Sequence, residues 1–231
     1  DNGIKIFNRD GFKLSDELQS QIEELVLGGE ISSRHVAFDQ IGKAYRIDDA
    51  SGRYIEFAKS AIHSASLKDL TIALDCANGA AYFLGPLIFK ELGARIIKLG
   101  SEPDGYNINQ GCGATAPEML AEKVVENNAD IGVALDGDAD RAVFVDSTGQ
   151  VIHGDRILAM LAIDLKDRQQ LVRDTMVTTV MSNIGLYKTM KDQGIRVETT
   201  PVGDRFVIEK LRNDRLSFGG EQSGHILHLG Y

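Results

Sequence analysis

Short apolar runs and longer amphipathic stretches take turns along most of this chain, and their alternation predicts its elements. Leu70-Thr71-Ile72-Ala73-Leu74 reads as a buried strand, Ala80 to Leu92 as a helix stopped by Gly93, and Ala94 to Leu99 as the next strand. A Gly- and Asn-rich loop covers 100–115. Pro117 opens a helix to about Asn127, and Ile131–Leu135 is a third strand. Ala142–Val145 turns back as a short strand, and Gly154 begins a helix through Ile163. The pattern then restarts: strand Met176–Val180, helix Asn183–Gln193, strand Arg196–Thr199, helix Asp204–Leu211, and short strands at Leu216–Phe218 and Ile226–Leu229. Strands alternating with helices predict an α/β protein, and the restart predicts two consecutive βαβ modules rather than one long sheet. Ahead of them, Ile4, Ile6 and Phe7 suggest a strand or hairpin. Ser15 caps a helix whose Leu18, Ile22, Leu25 and Val26 share one face, and Gly28-Gly29 end it. Residues 30–50 read as a polar linker. In the helix after it Tyr54, Phe57, Ala58, Ala61 and Ile62 are expected to face inward.

With 231 residues, 43% of them hydrophobic and 26% charged, the chain has the makings of a soluble globular protein of one or two domains. A net charge of −9 disfavours nucleic acid and anionic membranes as partners, so any phosphate must be held by local Arg, Lys and backbone N–H groups. There is neither a run of 18 apolar residues nor a signal-peptide pattern. Cys76 and Cys112 have no metal-binding spacing and are expected as free thiols in a reducing cytoplasm.

The predicted strand 131–135 runs straight into Asp136-Gly137-Asp138-Ala139-Asp140-Arg141. Three carboxylates this close repel unless a cation neutralises them. Oxygen donors on a short glycine-containing loop suit a hard ion such as Mg²⁺. Arg141 adds a fixed fork of donors beside them, matched to a phosphate oxygen. An EF-hand is excluded, because its sixth position would be Arg141 instead of Gly and its twelfth Ser147 instead of Glu. A solvated acidic turn and an aspartyl-phosphate phosphatase with Asp136 as nucleophile remain open on the residues alone.

A second constellation is Gly219-Gly220-Glu221-Gln222-Ser223-Gly224-His225. If the segment is extended, Glu221, Ser223 and His225 project to one side. A carboxylate and a hydroxyl so placed can hold paired sugar hydroxyls, and His225 can do acid–base work near neutral pH. The plainer reading is a hairpin turn with a structural His. Asp75-Cys76-Ala77-Asn78-Gly79-Ala80 is either an ordinary capped βα turn or an anion cradle. At Gly203-Asp204-Arg205, Arg205 opens a helix and is a candidate phosphate or sugar contact, beside Asp204.

Together these residues resemble the α-D-phosphohexomutases over essentially the whole chain. The markers are Asp1-Asn2-Gly3-Ile4-Lys5, Asp104-Gly105 with Asn107-Ile108-Asn109, the acidic loop 136–141, Val202-Gly203-Asp204-Arg205, and Gly220-Glu221-Gln222-Ser223-Gly224-His225. The last two, with Met181-Ser182-Asn183, look most like the bacterial branch acting on glucosamine phosphates. The resemblance implies α/β phosphohexomutase modules with mixed sheets flanked by helices. Residues 1–48 would be the C-terminal remnant of domain one, 49–166 domain two with the metal loop, and 167–231 an incomplete domain three with the sugar loop. It implies interconversion of glucosamine 6-phosphate and glucosamine 1-phosphate through a phosphoserine and a bisphosphorylated sugar. Asp136, Asp138 and Asp140 would hold Mg²⁺. Arg141, Lys5 and His225 would serve the chemistry, and Glu221, Ser223, Asp204 and Arg205 the substrate.

The family's Ser-His-Asn-Pro phosphoserine run and its Arg-x-Ser-Gly-Thr phosphate loop do not occur in these residues. The expectation is therefore a cytoplasmic fragment, inactive alone. Glucose or mannose phosphate specificity, or a non-catalytic Mg²⁺- and sugar-phosphate-binding module, are the alternatives.

Overall fold

The computed structural model describes residues 6–29, 35–62 and 66–230. The chain divides into two compact units, 1–50 and 51–231. In the first, Phe7 and Lys13 form an isolated bridge around a turn in which Asn8 accepts from the amides of Asp10 and Phe12. Helix α1, Asp16–Leu27, starts where Ser15 accepts from the Leu18 amide and ends at Gly28. None of its residues is buried; Leu18, Leu25 and Val26 are exposed, so the predicted apolar face has no cover among the described residues. Residues 35–49 are exposed throughout. Lys5, with the other N-terminal markers at 1–5, lies outside the described residues.

Helix α2, Ala50–Ser60, leads into the larger unit. It buries Ile55, whereas Tyr54 and Phe57, expected inside, are exposed. Lys59 donates to Glu56 within the helix at 2.7 Å and ties it to Glu91, at the end of the next helix, at 2.8 Å.

The first sheet comprises β1 (Thr71–Asp75), β2 (Arg95–Leu99), β3 (Ile131–Leu135), β4 (Ala142–Asp146) and β5 (Val151–Ile152), in the order β2-β1-β3-β4-β5. The first three are parallel, β4 is antiparallel to β3, and β5 is antiparallel to β4. Helix α3 (Leu84–Glu91) crosses from β1 to β2, and α4 (Glu118–Glu126) from β2 to β3. Both faces of β1 are buried. Ala73 packs with Leu120 and Val124 of α4; Ile72 and Leu74 pack on the other face with Phe89 of α3. That is why strands 1 and 3 read as continuous apolar runs rather than alternating ones.

The second sheet repeats the arrangement. Its strands β6 (Thr175–Thr179), β7 (Arg196–Thr200), β8 (Phe218–Gly220) and β9 (Ile226–His228) lie in the order β7-β6-β8-β9, the first three parallel and β9 antiparallel. Helices α5 (Gly154–Asp167) and α6 (Ile184–Asp192) cover one face, where Leu158, Ala162, Leu186 and Met190 meet Met176 and Phe218. Helix α7 (Asp204–Asn213) covers the other, with Val207 and Leu211 against Val177 and Leu216. The expected fold class, two α/β modules with mixed sheets flanked by helices, is what the chain adopts. Helix α5 packs on the second sheet, although a division at 166/167 leaves it with the first.

Two elements differ from the sequence reading in ways that shape the site. The helix expected from Ala80 begins only at Leu84. The intervening turn packs on the acidic loop, with the Ala80 amide donating to the Gly137 carbonyl at 2.8 Å. The segment 221–225 is a tight turn rather than extended chain: the Gly224 amide donates to the Glu221 carbonyl and the Glu221 amide to the His225 carbonyl. Glu221 is buried in this turn and Ser223 is exposed at its tip.

A Cβ on Gly79 would lie 2.1 Å from the Gly137 carbonyl oxygen, which belongs to rigid backbone. Gly79→Ala is expected to destabilise the chain by about 1–3 kcal/mol, read from the denaturant midpoint. Burial pushes the Cys76 thiol up to about 12, and raises that of Cys112 as well. Neither should react with a thiol reagent at pH 8 until the chain is unfolded, when both should.

Candidate functional site

The acidic loop joins β3 to β4, and the 221–225 turn joins β8 to β9. Each connects the third parallel strand of its module to the antiparallel return strand, so the two loops occupy equivalent places. They also touch. The Ala142 amide donates to the Gly224 carbonyl at 3.2 Å, and a Cβ on Gly224 would meet that same Ala142 backbone. Gly154, at the start of α5, passes so close to Gln222 that a Cβ would lie 2.1 Å from its carbonyl oxygen.

Within the acidic loop Asp136 is buried and Asp138 and Asp140 are exposed. One carboxylate oxygen from each lies within 4.8 Å of the others. Asp136 Oδ1 accepts from the amides of Asp140 and Arg141, both at 3.1 Å, and its Oδ2 accepts from Arg141 Nε at 2.9 Å. Arg141 Nε is also 3.7 Å from Asp140. Burial, reinforced by the charges of Asp140 and Asp138, pushes the Asp136 carboxyl above the usual carboxylate range, with the Arg141 amide acting the other way. The donor set is oxygen-only, clustered and partly desolvated, which fits a hard divalent cation.

His225 bridges the two loops. Its Nε2 is 3.3 Å from Asp140 and its Nδ1 is 3.3 Å from Glu221. Glu221, only 6% exposed, also accepts from the Gly203 amide at 2.9 Å, which brings the 202–205 segment to the same place. Gly203 has a φ of 131°, a conformation that excludes side-chain-bearing residues. The structure thus brings together Asp136, Asp138, Asp140, Arg141, Glu221 and His225. Asp204 is half-buried in the first turn of α7. Arg205 donates along α7 to Glu209 at 2.9 Å. Ser223 is exposed at the tip of its turn.

Several supporting residues gave no clear signal in the sequence. Asp75 is fully buried and accepts from the amides of Ala77 and Gly113, fixing two loops beside the acidic one. Asp155, 3% exposed, accepts from the Asn183 amide at 2.8 Å and so joins α5 to α6. His153, to which the sequence assigned nothing, caps α5 by accepting from the Asp155 amide.

Comparison with known proteins agrees with this geometry. Residues 52–149 match the model of phosphoglucomutase/phosphomannomutase alpha/beta/alpha domain II, and residues 153–231 that of domain III. The phosphoglucosamine mutases of Geotalea daltonii and Syntrophotalea carbinolica are each 50% identical over 232 residues, covering 100% of this chain and 51% of their own length. That of Caldicellulosiruptor bescii is 48% identical over 231 residues, with the same shares. The chain therefore spans about half the length of the relatives it matches. Among solved structures, a phosphoglucomutase/phosphomannomutase family protein from Burkholderia thailandensis superposes with a TM-score of 0.75 at 26% identity. It covers 93% of this chain and 45% of that one. A putative phosphomannomutase from Thermus thermophilus gives 0.71 at 22% identity, with 94% and 49% covered, and shares the fold. Two sheets of one strand order, an acidic loop and a Gly-Glu-Gln-Ser-Gly-His turn in contact, and matches to consecutive domains place this chain in the phosphoglucomutase/phosphomannomutase, or α-D-phosphohexomutase, family.

Proposed function

We propose that the chain is the part of a cytoplasmic phosphoglucosamine mutase that carries the metal loop and the sugar loop. The whole enzyme interconverts glucosamine 6-phosphate and glucosamine 1-phosphate. The observation that carries this reading is the contact of the two loops through His225, in a chain half identical along its whole length to phosphoglucosamine mutases.

In this reading Asp136, Asp138 and Asp140 hold Mg²⁺, which supplies a positive charge that polarises a phosphoryl oxygen. Asp136 is the fixed member, because its Oδ1 is committed to two amides. Arg141 keeps Nε on Asp136, which leaves its Nη groups for a phosphate oxygen. His225 sits between two carboxylates, where it can hold a proton and pass it to or take it from a sugar oxygen. Glu221 and Ser223 meet sugar hydroxyls, while Asp204 and Arg205 border the sugar and its phosphate. Lys5 is a further acid–base candidate.

Two measurements test this. Calorimetric titration of the chain with Mg²⁺ should show binding that weakens at least about ten-fold in Asp138→Asn. Protonation removes a ligand, so affinity should also fall on acidification. Because the Asp136 carboxyl is raised, that loss should begin above the usual carboxylate range. Unchanged affinity in Asp138→Asn would remove the metal assignment. For the longer parent enzyme, kcat/KM for glucosamine phosphate should exceed that for mannose and glucose phosphates. Equal or reversed values would reassign the substrate and leave the family untouched.

A further inference from the structure

We propose that Thr178 and Ser182 form a positioning pair that sets the sugar loop by holding the Gly220 carbonyl. The inference rests on the reading of Glu221 as a sugar-hydroxyl ligand. Strand β6 pairs with β8 at Met176–Phe218 and Val177–Gly219 and no further. At the next position the strands part, toward the end of the sheet where ligands collect. The Thr178 side chain takes over there: Oγ1 donates to the Gly220 carbonyl at 3.1 Å. Thr178 is fully buried, and its Oγ1 lies 2.6 Å from Ser182 Oγ.

The protons can be assigned. A carbonyl oxygen only accepts, so the single Thr178 proton goes to Gly220 and Ser182 must donate to Thr178. The chain therefore runs one way, from the β6–α6 turn to the residue before Glu221. Its upstream end is anchored as well, since the Ser182 amide donates to the Thr179 carbonyl and the Asn183 amide to Asp155. Its downstream end is confined, because Gly220 packs against the His225 carbonyl and Leu158 too closely to carry a Cβ. Glu221 follows, and through the Gly203 amide it fixes the 202–205 segment in turn. Valine would fill the Thr178 site as well as threonine does. What it lacks is the donor to Gly220, whose buried carbonyl would lose this hydrogen bond.

Amide hydrogen exchange on this chain is the direct test. Thr178→Val should speed exchange of the Glu221 and Gly203 amides about ten-fold, leaving Val197 and Leu74 unchanged. Ser182→Ala, which keeps the donor to Gly220, should give a smaller rise at the same two amides. Thr178→Ser should stay within about two-fold of the unsubstituted chain. In the longer parent, Thr178→Val should raise KM for the sugar phosphate about ten-fold with little change in kcat, and Thr178→Ser should restore it. Unchanged exchange at Glu221 and Gly203, or a rise spread evenly over the second sheet, overturns the proposal. If Thr178→Val does not fold, an unchanged Ser182→Ala overturns it. A parent that does not turn over glucosamine phosphate refutes the substrate reading instead, and the exchange result still decides the positioning role.

Discussion

Three carboxylates on one five-residue span repel each other, and the arrangement of the functional end of this chain answers that repulsion. Part of the answer is local. Arg141 closes back on Asp136 at 2.9 Å, and the amides of Asp140 and Arg141 converge on the same carboxylate. From the other module the His225 ring lies between Asp140 and Glu221, 3.3 Å from each. The two loops meet at this ring: the acidic loop brings three clustered carboxylates, and the 221–225 turn brings the imidazole to their rim.

The modules can do this because they are built alike. Both have three parallel strands in the order 2-1-3 followed by an antiparallel return, and in both the loop before the return carries the candidate site residues. Open α/β sheets present such loops at the carboxyl ends of their strands. Two modules joined in sequence then need only be set loop to loop. Gly154 and Gly224 allow the close approach, since a side chain at either would strike backbone. The first module spends its loop on fixed carboxylates, the second on a turn that mixes a buried carboxylate with an exposed hydroxyl.

Much of this was legible in the sequence, for identifiable reasons. Strand β3 was readable to the residue, because a strand buried on both faces is a plain apolar run ended by the first aspartate. The place of the acidic loop was readable because an apolar strand runs straight into its first aspartate. Other features were hidden. The 221–225 segment looked extended because its polar residues alternate, but the glycines around them form a turn held by its own backbone bonds. Tyr54 and Phe57 looked like core because periodicity cannot say whether a partner surface is present. Strand β6 carries three threonines in five buried positions, a pattern that propensity explains equally well as β-branched filler. Only the positions of Ser182 and Gly220 show that one of those hydroxyls has a directed use.

Asp136 shows how a buried carboxylate can serve two cations at once. A carboxylate offers about four acceptor directions. Oδ1 uses both of its directions on amides of its own loop, and Oδ2 uses one on Arg141. One direction on Oδ2 remains for a metal ion, so Asp136 can act as a single-oxygen ligand without releasing the guanidinium. The consequence is geometric. In the proposed reading an ion held through Oδ2 would share that oxygen with Arg141, so a phosphate oxygen drawn to the site would meet a forked donor as well. In the same reading exposed Asp138 and Asp140 would adjust to an ion, while buried Asp136, held by its own loop, would fix where it sits.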